Sequence, residues 1–179
     1  SGLRLRIVRD SKLTGKGKEF YDPNESGNPL LEIPKDKLYQ RVSPHFKLAE
    51  FVQVKMPELI PNKSYVQQVQ GDTYYKYARL SPEYLRALEK VRAATHQRLK
   101  HKSQYRSDGY NDRLYRQMYS KRPTDSRHSS GDGGDILLSY RRYSKPLEKI
   151  FKNGGLGIDN HDNFVHVDTR GRNARWYYN

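Results

Sequence analysis

The stretch SRHSSGDGGD, residues 126–135, places a histidine and an aspartate seven positions apart, with three glycines between them. A second histidine, His166, follows in the segment NFVHVDTRG at residues 163–171. Two imidazoles and one carboxylate suit a zinc ion whose fourth coordination position stays open, which is typical of catalytic and not of structural zinc. His128, Asp135 and His166 are therefore candidate metal ligands. The alternative is that His128 and Asp135 are ordinary polar residues of a loop.

The chain contains no cysteine, so disulfides and thiolate metal sites are excluded. Any metal must be bound by histidine and carboxylate side chains. No apolar run approaches the ~18 residues that span a membrane, and residues 1–9 lack the apolar core of a signal peptide. We therefore expect no transmembrane segment and no visible signal peptide.

The chain carries 34 Lys and Arg against 20 Asp and Glu, a net charge of +14. A charge of this sign attracts polyanions at long range, such as nucleic acid, an anionic cell wall or a membrane surface. No zinc-finger, RNP or basic-heptad signature accompanies it, so no specific nucleic-acid binding is predicted. A solvated basic surface without a partner is the alternative to attraction by an anionic cell-wall surface.

Residues 1–41 differ in composition from the remainder. Alternation over Leu3–Val8 predicts a strand, and residues 12–29 are rich in Gly, Lys, Asn and Pro, which predicts a loop. We interpret residues 1–41 as an N-terminal extension of unknown role. Residues 42–179 are then one main domain, which is an ordinary size for a single core.

Helix and strand signals alternate along the main domain. Ser43 and Pro44 predict a capped helix through Phe51, and Ser81 and Pro82 predict a helix that runs to about residue 97. Apolar patterns predict further helices and strands: helices at 111–119 and 146–151, strands at 99–103, 136–138, 154–158 and 164–167. This order predicts an α+β fold, in which a small antiparallel sheet carries the ligands and helices pack on one side.

Three segments together resemble a known family: YRSDGYN at 105–111, SRHSSGDGGDI at 126–136 and GGLGIDNHDNFVHVDTRGRNARW at 154–176. In this order they resemble the zinc D-alanyl-D-alanine carboxypeptidases and murein endopeptidases. That family includes the vancomycin-resistance dipeptidases, phage L-alanyl-D-glutamate peptidases and, more distantly, the hedgehog signalling domain. Its pattern S-x-H-x-x-G-x-A-x-D is matched by Ser126, His128, Gly131 and Asp135, with Gly133 in place of the alanine. The last segment is most similar to the murein endopeptidase branch, and the resemblance covers about residues 42–176.

The resemblance implies that His128, Asp135 and His166 bind Zn²⁺. It implies hydrolysis of peptide bonds in peptidoglycan stem peptides or cross-links, by a protein that is periplasmic, wall-associated or secreted. It aligns Arg106 with a family arginine that stabilises the oxyanion, a role that can contribute ~3–4 kcal/mol; a structural ion pair is the alternative. A catalytically inactive zinc-containing module that binds peptidoglycan or a protein partner is the alternative function.

The general base is the point where this chain departs from the family. Many members carry Glu or Asp three residues before the last histidine, and here Asn163 holds that position and cannot accept a proton. Asp168 lies two residues after His166 and so shares its face of the strand, which favours Asp168 as the base. The alternatives are that Asp168 orients a ligand or pairs with an arginine, and that the base is Asp162 or His161.

Overall fold

The computed structural model describes residues 3–8, 27–53, 77–115 and 126–178. These residues form a mixed α+β fold, which confirms the predicted class. The α-helices are α1 (Pro82–Thr95), α2 (Asp108–Leu114), α3 (Arg127–Ser130) and α4 (Tyr140–Ile150). The strands are β1 (Leu31–Glu32), β2 (Arg41–Ser43), β3 (Phe46–Lys47), β4 (Tyr77–Ala78), β5 (Lys100–Ser103), β6 (Gly133–Leu137), β7 (Gly155–Asp159), β8 (Phe164–Asp168) and β9 (Ala174–Tyr177). Among the described residues, no helix has the length and apolar character needed to cross a membrane.

A five-stranded sheet of order β5-β6-β8-β7-β9 positions the candidate ligands. Neighbouring strands are antiparallel except β7 and β9, which are parallel. The sheet is therefore mixed: the predicted antiparallel pairing holds for β5, β6, β8 and β7, and β9 adds one parallel strand at the edge. The sequence patterns miss β9 because its four residues, ARWY, are too few to show a clear alternation. In the centre of the sheet, His166 pairs with Asp135 on one side and with Gly157 on the other.

Helices α1 and α4 pack on one face of this sheet, as predicted. Helix α1 begins after Ser81, whose hydroxyl accepts the Tyr84 N–H at 3.3 Å, and Pro82 opens the first turn. Its buried side chains share one core cluster with α4 and the sheet: Tyr84, Leu88, Val91, Leu147, Phe151, Ile136, Val165 and Val167. Because adjacent strand residues point to opposite faces, His166 lies on the sheet face away from these two helices.

A second core cluster joins the N-terminal residues to the main domain. Leu30, Ile33 and Leu38 pack with Leu48 and Tyr105 in this cluster. Residues on both sides of position 41 therefore share one core. The strand predicted over residues 3–8 is limited to a single bridge between Ile7 and Leu31.

The helix predicted from Ser43 is wrong. Ser43 ends β2, a turn follows, and β3 leads into a 3₁₀ helix at Leu48–Glu50. The Ser43 hydroxyl donates to Glu89 Oε1 at 2.7 Å, and the His45 N–H donates to the same oxygen at 2.8 Å. A carboxylate on α1 thus binds the Ser-Pro segment, so the hydroxyl caps no helix.

Two other helices begin earlier than predicted. Helix α4 starts at Tyr140, not at Pro146, because the Ser139 hydroxyl accepts the Arg142 N–H at 3.3 Å and caps it. Helix α2 starts at Asp108 behind a Ser107 cap. The end of the predicted helix at 116–119 lies outside the described residues.

Candidate metal centre

Three elements bring the predicted ligands together. His128 lies on the one-turn helix α3, Asp135 is in the middle of β6, and His166 is directly opposite it on β8. One ligand atom from each residue lies within 4.8 Å of the others. Both histidines are buried and Asp135 is partly buried. This group could hold a metal ion.

In each histidine, one ring nitrogen faces the other two candidate ligands and the other faces away from them; we call these the inner and the outer nitrogen. The outer nitrogen of each already has a hydrogen-bond partner. His128 Nδ1 lies 2.7 Å from the Gln104 carbonyl oxygen, and His166 Nε2 lies 2.7 Å from Asp168 Oδ2. Both partners are acceptors, so the outer nitrogens carry the protons and the inner nitrogens of neutral rings are acceptors.

The inner nitrogens and Asp135 converge on one point. His128 Nε2 lies 3.3 Å and His166 Nδ1 lies 3.0 Å from Asp135 Oδ1. With both rings neutral, three acceptor atoms face one another with no proton between them. A cation among them satisfies all three at once, which is the arrangement that metal ligands require.

The pKa shifts of His128 and Asp135 fit this assignment, whereas the raised pKa of His166 favours its protonated form. Burial and the positive charge of Arg106 lower the pKa of His128. Burial alone would raise the pKa of Asp135, but His128 and His166 hold it well below its ordinary value. Burial alone would lower the pKa of His166, but hydrogen bonds with Asp135 and Asp168 raise it. Asp135 is therefore ionised, and a proton competes with a cation at His166 Nδ1.

Asp168 lies behind His166 and is fully buried. Its Oδ1 accepts from the Gly155 N–H and from Arg170 Nε, both at 2.9 Å, and from the Arg170 N–H at 3.2 Å. Its Oδ2 accepts from His166 Nε2 and from Arg170 Nη2, both at 2.7 Å. Burial would raise the pKa of Asp168, but Arg170 and His166 lower it strongly.

The imidazole ring of His166 therefore separates the Asp168 carboxylate from the ligand atoms. The carboxylate oxygens of Asp168 already accept hydrogen bonds from Gly155, His166 and Arg170. This placement speaks against the predicted base role of Asp168. It agrees with the alternative in which Asp168 orients a ligand and pairs with Arg170.

Glycines in two of the three signature segments, 126–136 and 154–176, make room for Asp168. A Cβ atom on Gly155 would overlap the Asp168 carboxylate, and one on Gly154 would overlap its carbonyl oxygen. A Cβ atom on Gly133 would lie 2.7 Å from the Asp168 Cβ. The glycine-rich composition of these segments thus has a steric cause, which is the close approach of strands to a buried carboxylate.

A second buried network holds His128. The Gln104 side chain contacts His101 Nδ1 at 2.6 Å and accepts the Tyr84 hydroxyl at 2.7 Å. His101 Nε2 in turn lies 3.3 Å from Glu50 Oε1. Sequence reasoning misses Gln104, because its contribution to His128 is a backbone carbonyl that no residue pattern marks.

Arg106 lies next to His128. Its backbone N–H donates to the His128 carbonyl at 3.3 Å, and its charge lowers the pKa of His128. Within the described part of the chain, the buried Arg106 Nε has no hydrogen-bond partner. A guanidinium nitrogen in this condition is available to a ligand.

The other two base candidates lie in the turn between β7 and β8. The Asp159 Oδ1 atom accepts the backbone N–H groups of His161 at 2.9 Å and Asp162 at 2.7 Å. The side chains of His161 and Asp162 are 90% and 61% exposed, respectively. Neither side chain hydrogen-bonds or pairs with the three ligands among the residues that the structure describes.

Three aromatic side chains, which we call the aromatic wall, pack together beside His166: Phe164, Trp176 and Tyr178. The ring centroids of Trp176 and His166 are 5.2 Å apart, and those of Phe164 and Tyr178 are also 5.2 Å apart. Gly157 allows this, because a Cβ atom there would overlap the Trp176 indole. Sequence reasoning misses Trp176 and Tyr178, because Trp176 lies on the unpredicted strand β9 and Tyr178 directly follows that strand.

Comparisons with protein-family models, with curated proteins and with solved structures found no match for this chain. Function must therefore be argued from the chemistry of the centre.

Proposed function

We propose that the protein is a zinc-dependent peptidase that hydrolyses peptide bonds in peptidoglycan stem peptides or cross-links. The observation that carries this proposal is the convergence of His128 Nε2, His166 Nδ1 and Asp135 Oδ1, with both outer nitrogens engaged. Two nitrogens and one carboxylate oxygen suit zinc with an open fourth position. Calcium and magnesium prefer oxygen ligands alone. Iron(II) also uses two histidines and a carboxylate, so the metal must be identified by analysis.

Zinc at this centre would polarise a scissile carbonyl and lower the pKa of a water toward ~7. The residues around it have separate tasks. Asp168 and the Gln104 carbonyl hold the two imidazole rings and direct their protons outward. Arg106, whose buried Nε has no hydrogen-bond partner among the described residues, would stabilise the negative charge that develops on the carbonyl oxygen.

This mechanism also needs a general base that accepts the proton of the attacking water. Asp168 is engaged by His166 and Arg170, so we assign it to orientation. Asp162 and His161 remain the candidates, because their side chains are exposed on the turn that leads into β8. Either could exchange a proton with a water and with the leaving amine after substrate has bound.

The resemblance of the three signature segments supports peptidoglycan peptides as the substrate class. The net charge of +14 supports attraction to an anionic cell wall. Both features are consistent with a periplasmic, wall-associated or secreted protein, which we include in the proposal.

A second function is a zinc-containing module that binds peptidoglycan or a protein partner without catalysis. Two observations favour it: Asn163 stands at the usual position of the base, and Asp168 is engaged elsewhere. In this alternative, the centre would hold zinc, but the protein would not hydrolyse peptide bonds.

The test is metal analysis followed by mass spectrometry of muropeptides after incubation with purified peptidoglycan. We expect one zinc per chain and cleavage at one type of peptide bond. A chelator should abolish the cleavage and added zinc should restore it. His166→Ala should be inactive, whereas His96→Asn, which changes an exposed histidine at the end of α1, should be active. Full activity in His166→Ala would refute the proposal, and full zinc occupancy with wall binding but no cleavage would establish the alternative.

A further inference from the structure

Tyr178 is held on the metal-centre face of the sheet by fixed neighbours. Its backbone N–H donates to the Ile158 carbonyl at 2.9 Å, so it continues the alignment of β9 with β7. Its ring lies 5.2 Å from the Phe164 ring and 6.4 Å from the Trp176 ring, measured between centroids. These contacts position the ring beside the centre.

The hydroxyl of Tyr178 lies beside Trp176, whose ring in turn neighbours the His166 ring. It hydrogen-bonds the Trp176 side chain, and because an indole nitrogen only donates, the Tyr178 oxygen accepts. This leaves the hydroxyl proton for donation to another group. Burial and the negative charge of Asp135 raise the pKa of Tyr178, and the positive charge of Arg106 lowers it. The hydroxyl therefore keeps its proton at neutral pH.

We propose that the Tyr178 hydroxyl donates a hydrogen bond to the substrate carbonyl oxygen at the metal centre, together with Arg106. This inference rests on the proposed function, because the acceptor is the oxygen of a bound acyl group. Tyr178 is then a substrate-binding residue of the peptidase. Its donor is neutral and lies one residue beyond β9, so it complements the charged guanidinium of Arg106.

The neighbouring residue supplies a matched control. Tyr177 is the last residue of β9 and directly precedes Tyr178; it points to the opposite face of the sheet and is 66% exposed. Tyr178→Phe and Tyr177→Phe each remove one hydroxyl and keep the ring. The ring contacts with Phe164 and Trp176 are therefore retained in both variants.

The experiment uses cobalt(II) in place of zinc and acetohydroxamate as a probe with acyl-type oxygens. The visible spectrum of cobalt reports binding of the probe. Fluorescence of Trp176, the single tryptophan of the chain and a neighbour of His166, reports binding of the metal. We expect Tyr178→Phe to bind cobalt like the wild type and to bind acetohydroxamate about 10-fold more weakly, as for the loss of one hydrogen bond near a charged group. Tyr177→Phe should match the wild type in both respects.

The outcomes distinguish a failure of the role of Tyr178 from a failure of the proposed function. Equal affinity for acetohydroxamate in Tyr178→Phe and the wild type would overturn the role of Tyr178 and leave the metal centre standing. A loss of cobalt affinity in Tyr178→Phe would assign the hydroxyl a structural role and also overturn the inference. A wild-type protein that binds no cobalt or zinc would overturn the proposed function and the role of Tyr178 together.

Discussion

At the scale of single residues, the two histidines of the centre differ in the charge of their outer partners. His128 donates to the neutral carbonyl of Gln104, whereas His166 donates to the carboxylate of Asp168. A hydrogen bond to an ionised acceptor is about twice as strong as a neutral one, and it makes the ring a more basic ligand. His166 should therefore depend more on its outer partner than His128 does.

Asp168→Asn should lower the affinity for zinc by about 10- to 100-fold, the usual cost of losing a partner behind a ligand. The amide keeps the shape but loses the charge that holds the His166 proton. Competition with a chelator measures this affinity. Asp162→Asn, on the exposed turn, should leave the zinc affinity unchanged. Unchanged affinity with lost turnover in Asp168→Asn would return Asp168 to the role of general base.

Asp168 also couples stability to pH. Its pKa is lowered in the folded protein by Arg170 and His166, against the effect of burial. The folded state therefore holds this proton less tightly than the unfolded state, so the stabilisation is present above an ordinary carboxyl pKa of ~4 and lost as pH falls. The melting temperature of the metal-free wild type should fall more steeply below pH ~4 than that of Asp168→Asn. Parallel curves for the two proteins would contradict this coupling.

At the scale of elements, strong local signals predict helix α1 and strand β8. Ser81 and Pro82 begin α1 as predicted, and β8 contains His166 as predicted. Strand β6 begins at Gly133, earlier than the predicted start at residue 136. Glycines give no apolar alternation, yet Gly133 and Gly134 pair with β8 across the sheet. The group of three candidate ligands could therefore be predicted from the sequence, whereas the start of the strand that carries Asp135 could not.

The rest of the centre depends on contacts between residues far apart in the sequence. The Gln104 carbonyl reaches His128 across 24 positions, and the aromatic wall requires β9 to lie parallel to β7. The Ser43 hydroxyl caps no helix because Glu89 on α1 binds it. Such contacts are set by tertiary packing, which local propensity does not encode.

Gly155→Ala tests the fit between β7 and Asp168. The added Cβ atom would overlap the carboxylate, so Asp168 must move away from His166. We expect a lower zinc affinity and a lower melting temperature. Gly171→Ala is the control, because a Cβ there meets nothing within 4 Å although its φ of +87° is strained. It should cost about 1 kcal/mol of stability and no zinc affinity. Equal zinc affinity in Gly155→Ala and the wild type would contradict the steric account.

At the scale of the whole molecule, a bound metal would join α3, β6 and β8, which lie at different points of the sequence. A ligand that binds only the folded state stabilises it, by about 2.7 kcal/mol at a concentration 100 times its Kd. For a chain of this size, that corresponds to a rise in melting temperature of roughly 5–10 °C. Scanning calorimetry with and without zinc measures the shift. His166→Ala should show a far smaller shift, and an equal shift would mean that zinc acts elsewhere.

The net charge of +14 acts over the whole surface, so its contribution to wall binding can be separated from that of the centre. Salt shortens the Debye length from about 30 Å at 0.01 M to about 3 Å at 1 M. Co-sedimentation with purified cell walls should therefore weaken over this range, equally for the wild type and for His166→Ala. Cleavage of a small uncharged peptide substrate should change far less, because its recognition depends on contacts at the centre. Wall binding that resists salt would show that specific contacts, and not net charge, hold the protein on the wall.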